Sequence, residues 1–167
     1  AHVSSARSAE MIRYAKKRGD RVTAEVTPHH LTLTDEACRG YDPNTKMHPP
    51  LRTEEDRQAL IEALADGTID AIATDHAPHA LTDKEVGFDL ASNGVIGLET
   101  ALPICLKLVH EKKLTLMRFI ETLTSAPAKV MGLCAKGSLK KGMDADLVLF
   151  DPEASWRIES GEFFSRS

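Results

Sequence analysis

The chain has 167 residues and a formal charge of −4, enough length for one soluble domain with a sizeable core. Its lysines and arginines are dispersed rather than gathered in blocks, which argues against nucleic acid or an anionic membrane surface as the main partner. No apolar stretch is long enough to span a bilayer, and Ala1-His2-Val3-Ser4-Ser5 has neither the basic flank nor the apolar run of a signal peptide. Cys38, Cys105 and Cys134 are odd in number, far apart and in no CxxC spacing. Buried free thiols in a reducing cytoplasm are expected, not a disulfide framework or a thiolate zinc site.

In chain order, a strand exit at His2 leads to a helix in which Met11, Ile12 and Ala15 have helical spacing, ended by Lys16-Lys17-Arg18-Gly19. Val22-Thr23-Ala24-Glu25-Val26-Thr27 reads as a strand stopped by Pro28. Residues 40–51, with three prolines, read as a loop. Thr53-Glu54-Glu55-Asp56 resembles a capping box opening a helix to about Asp66, with Leu60, Ile61 and Leu64 inward. Ile69-Asp70-Ala71-Ile72-Ala73-Thr74 is a mostly apolar strand of the kind found in a parallel sheet covered on both faces. A polar loop over 78–94 precedes helices near 98–112, 115–124 and 126–133. This alternation predicts an α/β architecture with parallel strands. Beyond a boundary near 134–136, Leu147-Val148-Leu149-Phe150 and Trp156-Arg157-Ile158 suggest short strands at the edge of a small β subdomain.

The chemistry gathers at strand ends. His2, His29, His30, His48, His76 and His79 are six of the seven histidines, and all follow predicted strands. In a parallel α/β barrel the active site lies at those ends. Neutral imidazole is a good zinc ligand, and a carboxylate completes such sites while able to carry protons. Thr74-Asp75-His76-Ala77-Pro78-His79 is the sharpest element, because an Asp closing an apolar strand has little structural reason to be there. A lone strand-end Asp is usually a cap or turn residue; the neighbouring histidines favour function, although spacing alone defines no zinc site.

Taken together, five segments resemble the second half of bacterial type I dihydroorotases of the amidohydrolase superfamily. They are His2-Val3-Ser4-Ser5, Glu25-Val26-Thr27-Pro28-His29-His30-Leu31, Lys46-Met47-His48-Pro49-Pro50-Leu51-Arg52, Thr74-Asp75-His76-Ala77-Pro78-His79 and Gly97-Leu98-Glu99-Thr100. The resemblance implies the C-terminal part of a (β/α)8 barrel, about strands six to eight, over residues 1–134, and part of a β subdomain over 135–167. It implies that His2 and Asp75 bind zinc, with two ions per complete subunit, and that Asp75 also shuttles the proton. His79, Asn93 and Gly94 would contact substrate. His48 stands where the family commonly has Asn, but His also offers a hydrogen bond. The family's remaining metal ligands and its grip on the substrate carboxylate would lie upstream of Ala1.

The implied reaction is the reversible hydrolysis of dihydroorotate to N-carbamoyl-L-aspartate in pyrimidine synthesis, in the cytoplasm, with this stretch inactive alone. Alternatives are another cyclic amidohydrolase (hydantoinase, dihydropyrimidinase or allantoinase) or a non-catalytic relative that scaffolds aspartate transcarbamoylase. Self-association through an open sheet edge is also expected. Glu25 and His29-His30 match no family role; packing or hydrogen bonding is expected of them. His76 is expected to orient its loop.

Overall fold

Ser5 ends the first extended segment and opens a helix, its hydroxyl accepting the Ser8 N–H at 3.2 Å, as an N-cap residue does. This is α1 (Ala6–Lys17); Lys16 and Lys17 occupy its last turn and Gly19 follows at φ 86°, a left-handed backbone that glycine adopts without steric penalty. The computed structural model describes residues 2–155 and 157–167. After α1 come β1 (Glu25–Val26) and α2 (Pro28–Thr32). Pro28 thus does more than stop the strand: it begins a helix, at a position where a missing N–H costs nothing. Then follow 3-10 turns at Asp35–Gly40 and Pro43–Thr45, α3 (Glu54–Ala65) and β2 (Ala71–Ile72). The rest is helical or irregular: α4 (Leu81–Lys84), α5 (Ala101–His110), α6 (Leu116–Leu123) and α7 (Ser125–Val130).

The strands run parallel, with Glu25 opposite Ala71 and Val26 opposite Ile72. On the other side of β1, His2 forms an isolated parallel bridge to Glu25, and the Val3 N–H donates to the Glu25 carbonyl at 2.9 Å. Three parallel segments therefore lie side by side in chain order with α1 and α3 in the crossovers, an α/β arrangement as the sequence predicts. Val3, Val26, Leu60, Leu64, Ile69 and Phe119 are buried between sheet and helices. Arg118 on α6 donates to the Leu64 carbonyl at 2.9 Å and the Ile69 carbonyl at 2.7 Å, satisfying backbone groups left open at the end of α3 and the start of the second strand.

Both strands are shorter than their apolar runs. At their starts the cause lies at Asp70, whose carboxylate accepts the Ala24 N–H at 2.8 Å together with Lys16 Nζ at 2.8 Å. A side chain takes the place of a ladder carbonyl there. Met11 does not face inward but is 65 % exposed; α1 buries Ala9 and leans Ile12 on the core. Of the thiols, Cys105 is buried, while Cys134 is exposed, contrary to expectation. Burial pushes the Cys105 thiol up to about 12. The tail forms no strand among its described residues. Leu147, Val148 and Leu149 are exposed, and among these four residues only Phe150 packs on the core. Trp156, expected in a second tail strand, lies outside the described residues.

Candidate functional site

The parallel bridge sets His2 beside Glu25, and the turn after β2 brings Asp75 to the same ring. His2 Nε2 is 3.3 Å from Asp75 Oδ1, and His2 Nδ1 is 3.1 Å from Glu25 Oε1. His2 thus sits between two carboxylates. Its Nδ1 is buried, and the approach to Glu25, although close, lacks hydrogen-bond alignment. Asp75 has φ 48°, a region uncommon outside glycine that aspartate tolerates best. Strain of this kind at a strand end is a mark of functional positions.

Two ligands each about 2.1 Å from a tetrahedral zinc lie roughly 3.4 Å apart, and the His2–Asp75 separation matches. The donor chemistry also fits, an imidazole nitrogen with a carboxylate oxygen. Among the described residues no three or more His, Cys, Asp or Glu side chains form a group able to hold a metal, so the pair fits part of a coordination shell and does not close one.

Beside this pair are two neutral histidines. The His30 ring bridges Thr27 Oγ1, 2.7 Å from Nδ1, and the carbonyls of Pro49 and Pro50, 3.0 and 3.3 Å from Nε2. A carbonyl only accepts, so Nε2 carries the hydrogen and Nδ1 accepts from the hydroxyl. Burial lowers the His30 pKa and outweighs the two carbonyls that raise it. His29 is 8 % exposed and tilts against His30 with ring centroids 4.6 Å apart. Burial first, and then the neighbouring His30, bring its pKa down to about 4 against the opposing pull of Asp75. His30 therefore has the hydrogen-bonding role expected, tying the proline loop to the end of β1.

A second group forms on the loop after β2. His79 Nε2 is 2.8 Å from the Asn93 carbonyl, and the Gly94 N–H donates to the Lys46 carbonyl at 2.8 Å. Gly94 has φ 100°, and a Cβ there would stand 2.8 Å from the Ala77 Cβ, so only glycine fits this close approach. His76 Nδ1 accepts the N–H groups of Gly97 and Leu98 at 3.2 and 3.3 Å, the loop-orienting role expected of it. His48 is exposed. The structure thus brings His2 to Asp75, and His79 to Asn93 and Gly94.

Sequence reasoning left Glu25 without a role and passed over Lys46 and Lys84. Glu25 meets His2 only through the strand register. Lys46 Nζ donates to the Asp89 and Ala91 carbonyls at 2.9 and 2.7 Å, and Lys84 Nζ to those of Pro43, Ser92 and Gly94. Two lysines, one in the proline loop and one ending α4, were the available signal. Burial holds the Lys84 pKa below its ordinary value.

The chain thus sets a His–Asp pair at the strand ends of a parallel α/β sheet, and residues 1–165 match the amidohydrolase family model. The chain belongs to the amidohydrolase family. It is 54 % identical, over 99 % of its length, to the dihydroorotase of Syntrophus aciditrophicus, and 52 % identical over its whole length to that of Geotalea daltonii. It spans 39 % of the length of each of these relatives. Among solved structures, L-hydantoinase from Arthrobacter aurescens is similar at 38 % identity and a TM-score of 0.81, over 86 % of this chain and 33 % of that one. A D-hydantoinase aligns at 34 % identity and a TM-score of 0.86, over 96 % of this chain and 37 % of its own. Among the described residues no helix is long and apolar enough to cross a membrane.

Proposed function

We propose that this chain is the C-terminal part of a dihydroorotase, which cleaves the cyclic amide of dihydroorotate to N-carbamoyl-L-aspartate and also runs in reverse. The carrying observation is identity above 50 % to dihydroorotases along the whole chain, against 38 % and 34 % to the two hydantoinases. In this reading residues 1–134 supply strands six to eight of a (β/α)8 barrel and 135–167 part of a β subdomain, in a cytoplasmic enzyme.

His2 Nε2 and Asp75 Oδ1 would hold zinc, with the remaining ligands coming from elsewhere in the complete protein. Bound zinc supplies a hydroxide at neutral pH and polarises the scissile carbonyl. Asp75 accepts the proton released by the attacking oxygen and delivers it to the ring nitrogen as the C–N bond breaks, so that nitrogen leaves as the neutral NH2 of the carbamoyl group. His79 gives its Nε2–H to the Asn93 carbonyl, which holds the Asn93-Gly94 backbone against the pyrimidine ring. His48 offers one further hydrogen bond from the neighbouring loop.

The test is a substrate panel on the full-length protein that carries this sequence: dihydroorotate, hydantoin, dihydrouracil and allantoin. A site that grips a carboxylate rejects analogues lacking it, so kcat/KM for dihydroorotate is expected to exceed the others by at least about 10²-fold. A preference for hydantoin or dihydrouracil would overturn the assignment.

A further inference from the structure

We propose that Lys84 is a positioning residue: its ammonium clamps together the two loops that face the substrate, and so sets substrate affinity more than the chemical step. The proposal rests on the reading of Asn93, Gly94 and His48 as substrate contacts. Lys84 Nζ donates to the carbonyls of Pro43 at 2.8 Å, Ser92 at 2.9 Å and Gly94 at 2.9 Å. An ammonium has three hydrogens to donate, and here each has a backbone acceptor. A lysine at the end of a short surface helix normally extends its head into water; this one, the last residue of α4, turns inward.

The acceptors lie on different loops. Pro43 belongs to the segment that runs on to Lys46 and His48, after β1 and α2. Ser92 and Gly94 belong to the loop after β2, with Asn93 between them. Around the clamp, the Gly94 N–H reaches the Lys46 carbonyl at 2.8 Å, and Lys46 Nζ reaches the Asp89 and Ala91 carbonyls. These ties all hold backbone, and neither loop supplies a strand that could hold the other. The His79 ring, 2.8 Å from the Asn93 carbonyl, takes its place from the same backbone.

Removing the ammonium leaves three part-buried carbonyls without the donor that joins them. The core, built from α1, α3, α5 and the strands, does not depend on it. What is lost is the order of the loops, and that ordering cost is then met when substrate binds. His2 and Asp75 sit on the sheet side and take no hydrogen bond from Lys84, so the proton transfer is spared. The signature is therefore a rise in KM with kcat nearly kept, the pattern of lost uniform binding.

The experiment compares wild-type full-length protein with Lys84→Met and Lys84→Arg, by steady-state kinetics and by amide hydrogen exchange. Kinetics use whichever cyclic amide the wild type turns over best, so a failed dihydroorotate assignment leaves the clamp decided. Lys84→Met is expected to raise KM about tenfold with kcat within about threefold. Exchange should quicken over residues 43–48 and 88–95, with α1 and α3 unchanged. A planar guanidinium cannot aim three N–H groups from one nitrogen, so Lys84→Arg should shift KM and exchange in the same direction by less. It decides the matter if the Met variant does not fold. Unchanged KM, a fall in kcat alone, or raised KM without faster exchange would each overturn the clamp.

Discussion

Asp75 combines a carboxylate 3.3 Å from an imidazole nitrogen with a left-handed backbone. Asparagine has the same size and shares aspartate's tolerance of that backbone, so Asp75→Asn isolates the charge. In the full-length protein the fold should survive while turnover falls at least about 10²-fold, the usual loss when a proton-transfer group is removed. Near-normal turnover with full zinc by elemental analysis would refute the role. His29 carries a prediction about pH. It takes up its proton at about 4 in the fold, against 6.5 for an exposed histidine, so between those values the unfolded chain binds more protons. Stability should be level above about pH 7 and fall as pH drops through 6.5 toward 4, by roughly 3 kcal/mol in all. Denaturant melts of wild type and His29→Gln at pH 7.5 and 4.5 check this; an equal loss in both proteins would mean that His29 is not the source. The strand-end place of Asp75 was legible in the sequence because a polar residue that closes an apolar strand stands out by itself, whereas His2 was singled out only through the family resemblance. Glu25 and Lys84 were not legible, since one acts through strand register and the other through where a loop folds back.

At the scale of elements, Asp56 serves two helices at once. Its Oδ1 accepts the Ala6 N–H at the start of α1 at 2.8 Å, and its Oδ2 accepts the Thr53 hydroxyl that caps α3 at 2.9 Å. Loss of one cap costs about 1 kcal/mol, so Asp56→Ala should cost about 2 kcal/mol and Thr53→Ala about half that, read from urea melts. A cost for Asp56→Ala no greater than that for Thr53→Ala would show that the link to α1 contributes nothing. A cap made α3 readable, since Thr53 accepts the Asp56 N–H three residues on, and Ser5 and Thr115 cap α1 and α6 in the same local way. The α5 start was misplaced by about three residues for a non-local reason. Gly97 and Leu98 give their N–H groups to the distant His76 ring, which holds them out of the helix. Strand lengths failed likewise, because a ladder depends on its neighbour, and Asp70 interrupts this one.

Considered whole, the chain presents edges and apolar surface that its own residues do not cover. Among the described residues His2 joins the sheet by a single bridge, and β2 pairs with β1 alone. Leu139, Val148, Leu149 and Phe164 are each more than four-fifths exposed. A catalytic zinc takes three protein ligands, and His2 with Asp75 makes two. These facts lead to a prediction for the 167-residue chain expressed by itself. It should not form N-carbamoyl-L-aspartate from dihydroorotate, and it should not retain stoichiometric zinc through gel filtration. Unpaired strand edges template association with another chain, and exposed apolar patches add to the drive, so it should elute as an oligomer. Light scattering, elemental analysis and the hydrolysis assay on one sample read all three. A monomer with bound metal and measurable turnover would mean that residues 1–167 build a complete site, and that the His2–Asp75 pair is not the part of a larger shell that its 3.3 Å spacing and the lack of a third ligand among the described residues indicate.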